Sequence, residues 1–241
     1  MKDDHRDGKR GGTKAEWPRI ICIVGLDGSG KSTISREFVK RATSYGFQYR
    51  YAWVHNQPLF LALLRFARRI IFPPRKGMFE DYRAYRQEKK SLAKRRFIRT
   101  IYLAAHSLDY AVWVLLRVRL PLWLGQRLVL DRYVYDVAIN RGLLMDMTSD
   151  EIYLLIKHYL KKYPRPSIVF CIDIPVDIAF SRKNDIPSKE YLEERRDLYQ
   201  KCAAQFGFFM LDGTKPVSSI IDEMIEIVHR EFKSTQLAVH A

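Results

Sequence analysis

Five short apolar runs punctuate the chain, with helical spacing between them. Residues 20–24 (Ile-Ile-Cys-Ile-Val) form the first, continuous and β-branched, the pattern of a strand buried on both faces. The others are 47–54, 127–130, 167–172 and 207–211. Residues 34–42, 59–71, 101–116, a stretch ending near Met145, 149–163 and 189–206 read as helices. A last helix has its apolar face at Ile220, Ile221, Met224, Ile225 and Val228. The punctuation agrees: Ser149 or Asp150 can cap, Pro175 opens a helix where its missing N–H is harmless, and Pro73-Pro74 closes 59–71. Buried strands alternating with helices predict a parallel sheet covered on both faces. Ligands then belong beyond the carboxyl ends of its strands.

The 241 residues suffice for one such domain, expected over 17–235 with a basic helical insertion at about 59–100. Residues 1–16 are polar and read as a solvated tail. Lys and Arg number 42 against 27 Asp and Glu, a net charge of +15, and much of the excess sits between Arg83 and Arg99. The favoured reading of this segment is a solvated face whose potential draws in anionic substrates. Docking on nucleic acid or an anionic membrane through 65–99 is the alternative. No run is long enough to cross a bilayer without a charge. The apolar helix 101–116 is expected to be core or a homodimer interface. The three cysteines follow no metal or disulfide spacing, which fits a reducing, cytoplasmic setting.

The first run leads into Gly25-x-x-x-x-Gly30-Lys31-Ser32, a phosphate-binding loop in its required strand–loop–helix context. Gly25, Gly28 and Gly30 let backbone amides converge on a phosphate at a helix N-terminus, and a Cβ at Gly30 would obstruct that approach. Lys31 reaches the β- and γ-phosphates, and the Ser32 hydroxyl is a magnesium ligand. ATP and Mg²⁺ are the implied ligands. The third strand ends in Asp131-Arg132. Asp131 sits where a carboxylate would hold Mg²⁺ opposite the loop, and Arg132 can grip phosphate oxygens bidentately.

With these motifs the chain resembles the thymidylate kinase family of nucleoside monophosphate kinases. The matching segments are Gly25 to Thr33 with its internal Asp27, Asp131-Arg132-Tyr133, Ile172 to Arg182, Tyr191 to Tyr199, and Leu211 to Pro216. The resemblance implies the three-layer P-loop NTPase fold with a five-stranded parallel sheet, a lid and ATP-dependent phosphorylation. It implies that Lys31 and Arg132 clamp phosphates while Ser32 and Asp131 hold the metal. Gly25, Asp27, Gly28, Ser29, Gly30 and Thr33 would seat ATP together with Lys215, and the lid would bring Arg182 and Lys183. Asp27 faces the acceptor in that family and would orient it or accept its proton.

The acceptor half departs from the family pattern. An Arg-Glu-Pro-Gly-Gly-type stretch is replaced by His55-Asn56-Gln57-Pro58, and Ala-Asp-Arg on the long helix by Ala105-His106-Ser107. The arginine expected at the acceptor phosphate is therefore missing, unless Arg65 or Arg69 replaces it. Ile139-Asn140-Arg141 stands where Ala-Tyr-Gln is usual. The acceptor space is expected to be lined by His55, Asn56, His106, Asp109, Tyr133 and Tyr135. Such a neutral set suits hydroxyls and ring edges better than a phosphate dianion. The expectation is a small acceptor other than thymidylate. Thymidylate kinase proper, or a nucleotide-binding protein without transfer activity, are the alternatives.

Overall fold

The computed structural model describes residues 17–54 and 96–239. The tail, the expected helix 59–71 and most of the basic insertion, with Arg65 and Arg69, lie outside the described residues.

The strands are β1 (Ile20–Gly25), β2 (Tyr49–Trp53), β3 (Arg127–Asp131), β4 (Ile168–Asp173) and β5 (Phe209–Asp212). They form one sheet in the order β2-β3-β1-β4-β5, and every pairing is parallel. The helices are α1 (Lys31–Ser44), α2 (Arg96–Val114), α3 (Leu120–Trp123), α4 (Val134–Met145), α5 (Ser149–Lys162), α6 (Val176–Ser181), α7 (Lys189–Phe206) and α8 (Val217–Val239).

The continuous apolar runs are explained by two cores, one on each face. Alternate residues Ile20, Cys22 and Val24 of β1 pack with Tyr110 of α2, Ile139 of α4, Ile156 of α5 and Cys202 of α7. Ile21 and Ile23 face the other way, onto Ile34 and Phe38 of α1 and Ile221, Met224 and Val228 of α8. This is the expected three-layer arrangement. The three cysteines are buried and free.

The apolar helix runs further than its pattern predicts. Beyond Val114 it widens into a π turn, Leu115–Arg119, and continues as α3. Pro121 lies in that continuation. Its ring has no N–H to give the preceding turn and would press on the carbonyl four residues back, and a wider turn takes up the mismatch. Among the described residues no helix is long and apolar enough to cross a membrane.

Register fixes the site. Asp131 aligns with Ile23 and with Trp53, and Gly25 aligns with Ile172. The loop after β1 therefore emerges between the ends of β3 and β4, where the connections diverge to opposite sides of the sheet.

Candidate active site

The loop 25–30 wraps the N-terminus of α1, whose amides and dipole favour an anion. Gly25 (φ 141°) and Gly28 (φ 87°) have left-handed backbones. A Cβ there would collide with the carbonyl oxygens of Ile172 and Ala179 respectively, so only glycine fits. Gly30 differs from expectation. Its φ is 85°, yet a Cβ would meet nothing nearer than Ile34 Cδ1 at 4.0 Å. Within the chain, Gly30 is required by its backbone angle rather than by space. Ser29 is buried and its hydroxyl has no partner among the described residues, and Thr33 is exposed on the first turn of α1.

The cations are held internally. The buried Lys31 ammonium donates to the Leu26 carbonyl. Burial lowers its pKa, and the nearby Arg132 adds to that. Arg132 stands on a left-handed backbone, φ 65°, unusual for a side chain with a Cβ, and its amide is tied to the Ile23 carbonyl at 3.1 Å. Its guanidinium donates to Asp27 Oδ1. Burial works against the arginine's charge, but Asp27 and then Asp136 hold its pKa above the ordinary value. For Asp27, burial alone would raise the carboxyl; Arg132, Lys31 and Lys183 pull it from 3.8 down to about 2.

That depression has a consequence for stability. A carboxylate with a lowered folded pKa stabilises the fold above its unfolded value and loses the contribution as pH falls through the folded one. Asp27 is only 19% exposed. Asp27→Asn is expected to cost about 2 kcal/mol at neutral pH. The gap from the parent should close between pH 4 and about 2. Urea unfolding of both proteins across that range checks it, and a gap that stays constant would sink the assignment.

Ser32 and Asp131, the two residues expected to hold a metal, lie side by side. The Ser32 hydroxyl donates to Asp131 Oδ2, and Tyr51 of β2 donates to the same oxygen at 2.8 Å. Asp131 is fully buried and its Oδ1 has no hydrogen-bond partner among the described residues. An oriented, spare carboxylate oxygen beside a serine hydroxyl fits a Mg²⁺ that keeps most of its ligands as water and phosphate. Tyr51 has no signal in the strand pattern. Burial, and then its bond to Asp131, push its hydroxyl up to about 12, so it remains a donor at neutral pH.

On the acceptor side several expected residues are displaced. Tyr133 and Tyr135 are buried in the core. The Tyr133 hydroxyl donates to the Pro164 carbonyl at 3.0 Å, and Tyr135 packs on Phe206 and Phe208. Both turn away from the loop, so they are corrected from lining residues to core. Asp109 is buried in α2, and His106 Nδ1 lies 2.6 Å from Arg141 Nη2. His55 and Asn56 lie outside the described residues.

Other side chains occupy the space. Tyr191 of α7 donates to Asp27 Oδ2 at 3.3 Å. Arg195 stacks over the Tyr191 ring, 3.4 Å from its centroid, and donates to Asn140 Oδ1 at 3.1 Å. Arg141 of α4 is buried and donates to Ser107 at 3.2 Å and to Tyr159. Ser107 is one of the positions where the family pattern led to an expected arginine, so the structure brings a cation there from another helix. Arg141 and Arg195 each keep a buried Nε without a partner among the described residues.

The remaining donor-side residues are spread out. Arg182 is exposed at the end of α6, and Lys183 pairs with Asp185 at 3.3 Å. Lys215 pairs with Glu223 at 3.0 Å. Near it an open cavity of about 450 Å³ is lined by Asp173, Ile174, Arg196, Asp212 and Thr214. Arg196 grips Asp173 bidentately at 2.8 and 2.9 Å.

The chain matches no protein-family model. It is similar to proteins named thymidylate kinase. The probable thymidylate kinase 1 of Saccharolobus solfataricus is 30% identical over 111 residues, covering 43% of this chain and 54% of that one. The probable thymidylate kinase of Metallosphaera sedula is 28% identical over 108 residues, 42% of this chain and 52% of its own. The thymidylate kinase of Leptospira interrogans is 23% identical over 229 residues, 92% of this chain and 98% of its own. The chain thus spans about half the length of the first two relatives and nearly all of the third.

Proposed function

We propose that this thymidylate kinase-like P-loop protein transfers the γ-phosphoryl group of ATP to a nucleoside monophosphate, with thymidylate as the acceptor. The names of its relatives favour that acceptor over the different one expected from the rebuilt residues 55–58 and 105–107.

One observation carries the choice of a phosphate acceptor: both Asp27 carboxylate oxygens are already engaged, Oδ1 by the Arg132 guanidinium and Oδ2 by the Tyr191 hydroxyl, and the nearby cations pull its pKa down to about 2. A hydroxyl acceptor needs a base to take its proton, and a carboxylate this acidic is a poor one at neutral pH. A phosphate oxygen is already anionic and needs none. Asp27 then acts by position, keeping Arg132 and Tyr191 where the two phosphates meet. Arg195 and Arg141 supply the acceptor-side positive charge that seemed absent from the linear pattern.

The loop amides and Lys31 bind the β- and γ-phosphates and fix them in line with the acceptor. Arg132 leaves Asp27 in part to face the equatorial oxygens, where charge is spread in the transition state. Ser32 and Asp131 would hold Mg²⁺, with Tyr51 orienting the carboxylate. The ion would neutralise phosphate charge.

A steady-state assay with ATP and thymidine monophosphate tests the reading. The expected kcat/KM is of order 10⁴ M⁻¹s⁻¹ or higher, with thymidine itself a far poorer acceptor. Turnover of thymidine, or of a sugar hydroxyl, in preference to the monophosphate would overturn it.

A further inference from the structure

The amino ends of the strands form the edge of the sheet opposite the phosphate loop, about 20 Å away along the six-residue β1. There α3 ends in a group of exposed apolar side chains: Leu116 is 52% exposed, Leu120 44%, Trp123 71% and Leu124 68%. Leu116 lies in the π turn, Leu120 and Trp123 in α3 and Leu124 just after it, so the four fall within one short helical stretch.

This apolar corner is ringed by cations. Arg19, at the foot of β1, donates to the Leu122 carbonyl at 2.7 Å. Arg50 of β2 donates to Gln126 Oε1 at 3.2 Å, and Arg119 to the Lys162 carbonyl at 2.7 Å. These bonds draw charges from several elements around α3 and spend them on neutral oxygens. Arg19, Arg50 and Arg119 form no ion pair with an acidic side chain among the described residues.

We propose that this corner docks on an anionic phospholipid surface. Exposed tryptophan and leucine beside arginines without an acidic partner among the described residues suit the boundary between headgroups and acyl chains. The ring enters the boundary and the cations meet lipid phosphates. A nucleic acid would satisfy the cations but leave Trp123 and Leu124 in water. A second copy would cover the leucines but bring the same positive ring against itself. The docked chain keeps its phosphate loop turned toward solvent, because the loop is on the far edge of the sheet.

Co-sedimentation of the full chain with phosphatidylcholine vesicles, with and without phosphatidylserine, tests this. Binding should require phosphatidylserine and weaken as salt rises. Trp123→Ser/Leu124→Ser should lower the partition constant about tenfold or more. Arg50→Gln/Arg119→Gln should lower it comparably, and both variants should keep the parent's thermal midpoint. The proposal is overturned if binding does not depend on phosphatidylserine, or if either variant binds as the parent does. It is equally overturned if the parent is a dimer that the apolar variant dissociates, or if RNA binds more tightly than the vesicles.

Discussion

Lys31→Met is expected to remove phosphoryl transfer while leaving the folded chain at least as stable as its parent. Lys31 is a buried ammonium bonded to one neutral carbonyl, and burial lowers its pKa. A lysine whose folded pKa lies below its unfolded one opposes folding in its charged form. Methionine fills similar volume without that charge, and so removes the cost of burying it. The opposite holds for function. Under the proposed function the cation, at the start of α1, meets the transferring phosphate, and loss of a preorganised charge there costs about 10³-fold in rate. Calorimetric titration with ATP and thermal unfolding separate the two effects. A parent-like ATP affinity, or a melting point well below the parent's, would contradict the assignment.

Arg132→Ala carries the other large effect, because under the proposed function this arginine serves both the fold and the chemistry. Removing it leaves Asp27 largely buried without its main partner, at an expected cost of about 3 kcal/mol. Alanine also keeps the left-handed strain at φ 65° without the ion pair that offsets it. Activity should fall by about 10²–10³-fold, since the guanidinium is the strand-end cation nearest Asp27 and the loop. The double variant Asp27→Asn/Arg132→Ala should be less destabilised than the two single changes added together. The coupling should be about 1–3 kcal/mol. Urea unfolding of the four proteins measures it. Strict additivity would mean that the Asp27–Arg132 pair does not hold the site.

How far the donor half could be read in advance follows from how local it is. Six consecutive loop residues and the first turn of α1 set the anion site by backbone angles and residue size, and both are written in the sequence itself. The Asp131-Arg132 pair was readable because it ends a strand, and parallel register then aligns Asp131 with β1. The acceptor half is different. Its linear reading gave a neutral pocket containing Tyr133 and Tyr135, but α4 turns these rings into the core. The helix spacing that buries them also carries Arg141 to Ser107.

The linear pattern of residues was enough for the alternation of buried strands and helices, the parallel sheet, the phosphate loop and the likeness to thymidylate kinases. These rest on short-range constraints: apolar runs of strand length, glycine angles and helix starts. It took the folded chain to show that Tyr51 shares Asp131 with Ser32, and that Tyr191 reaches Asp27 from 164 positions away. The fold also decided that Arg141 of α4 meets Ser107, that Arg195 of α7 meets Asn140, and that α3 ends in an apolar corner ringed by positive charge. Such contacts join residues far apart in the chain. They are selected by packing and by pairing buried charge, and neither leaves a period or a spacing in the sequence to read.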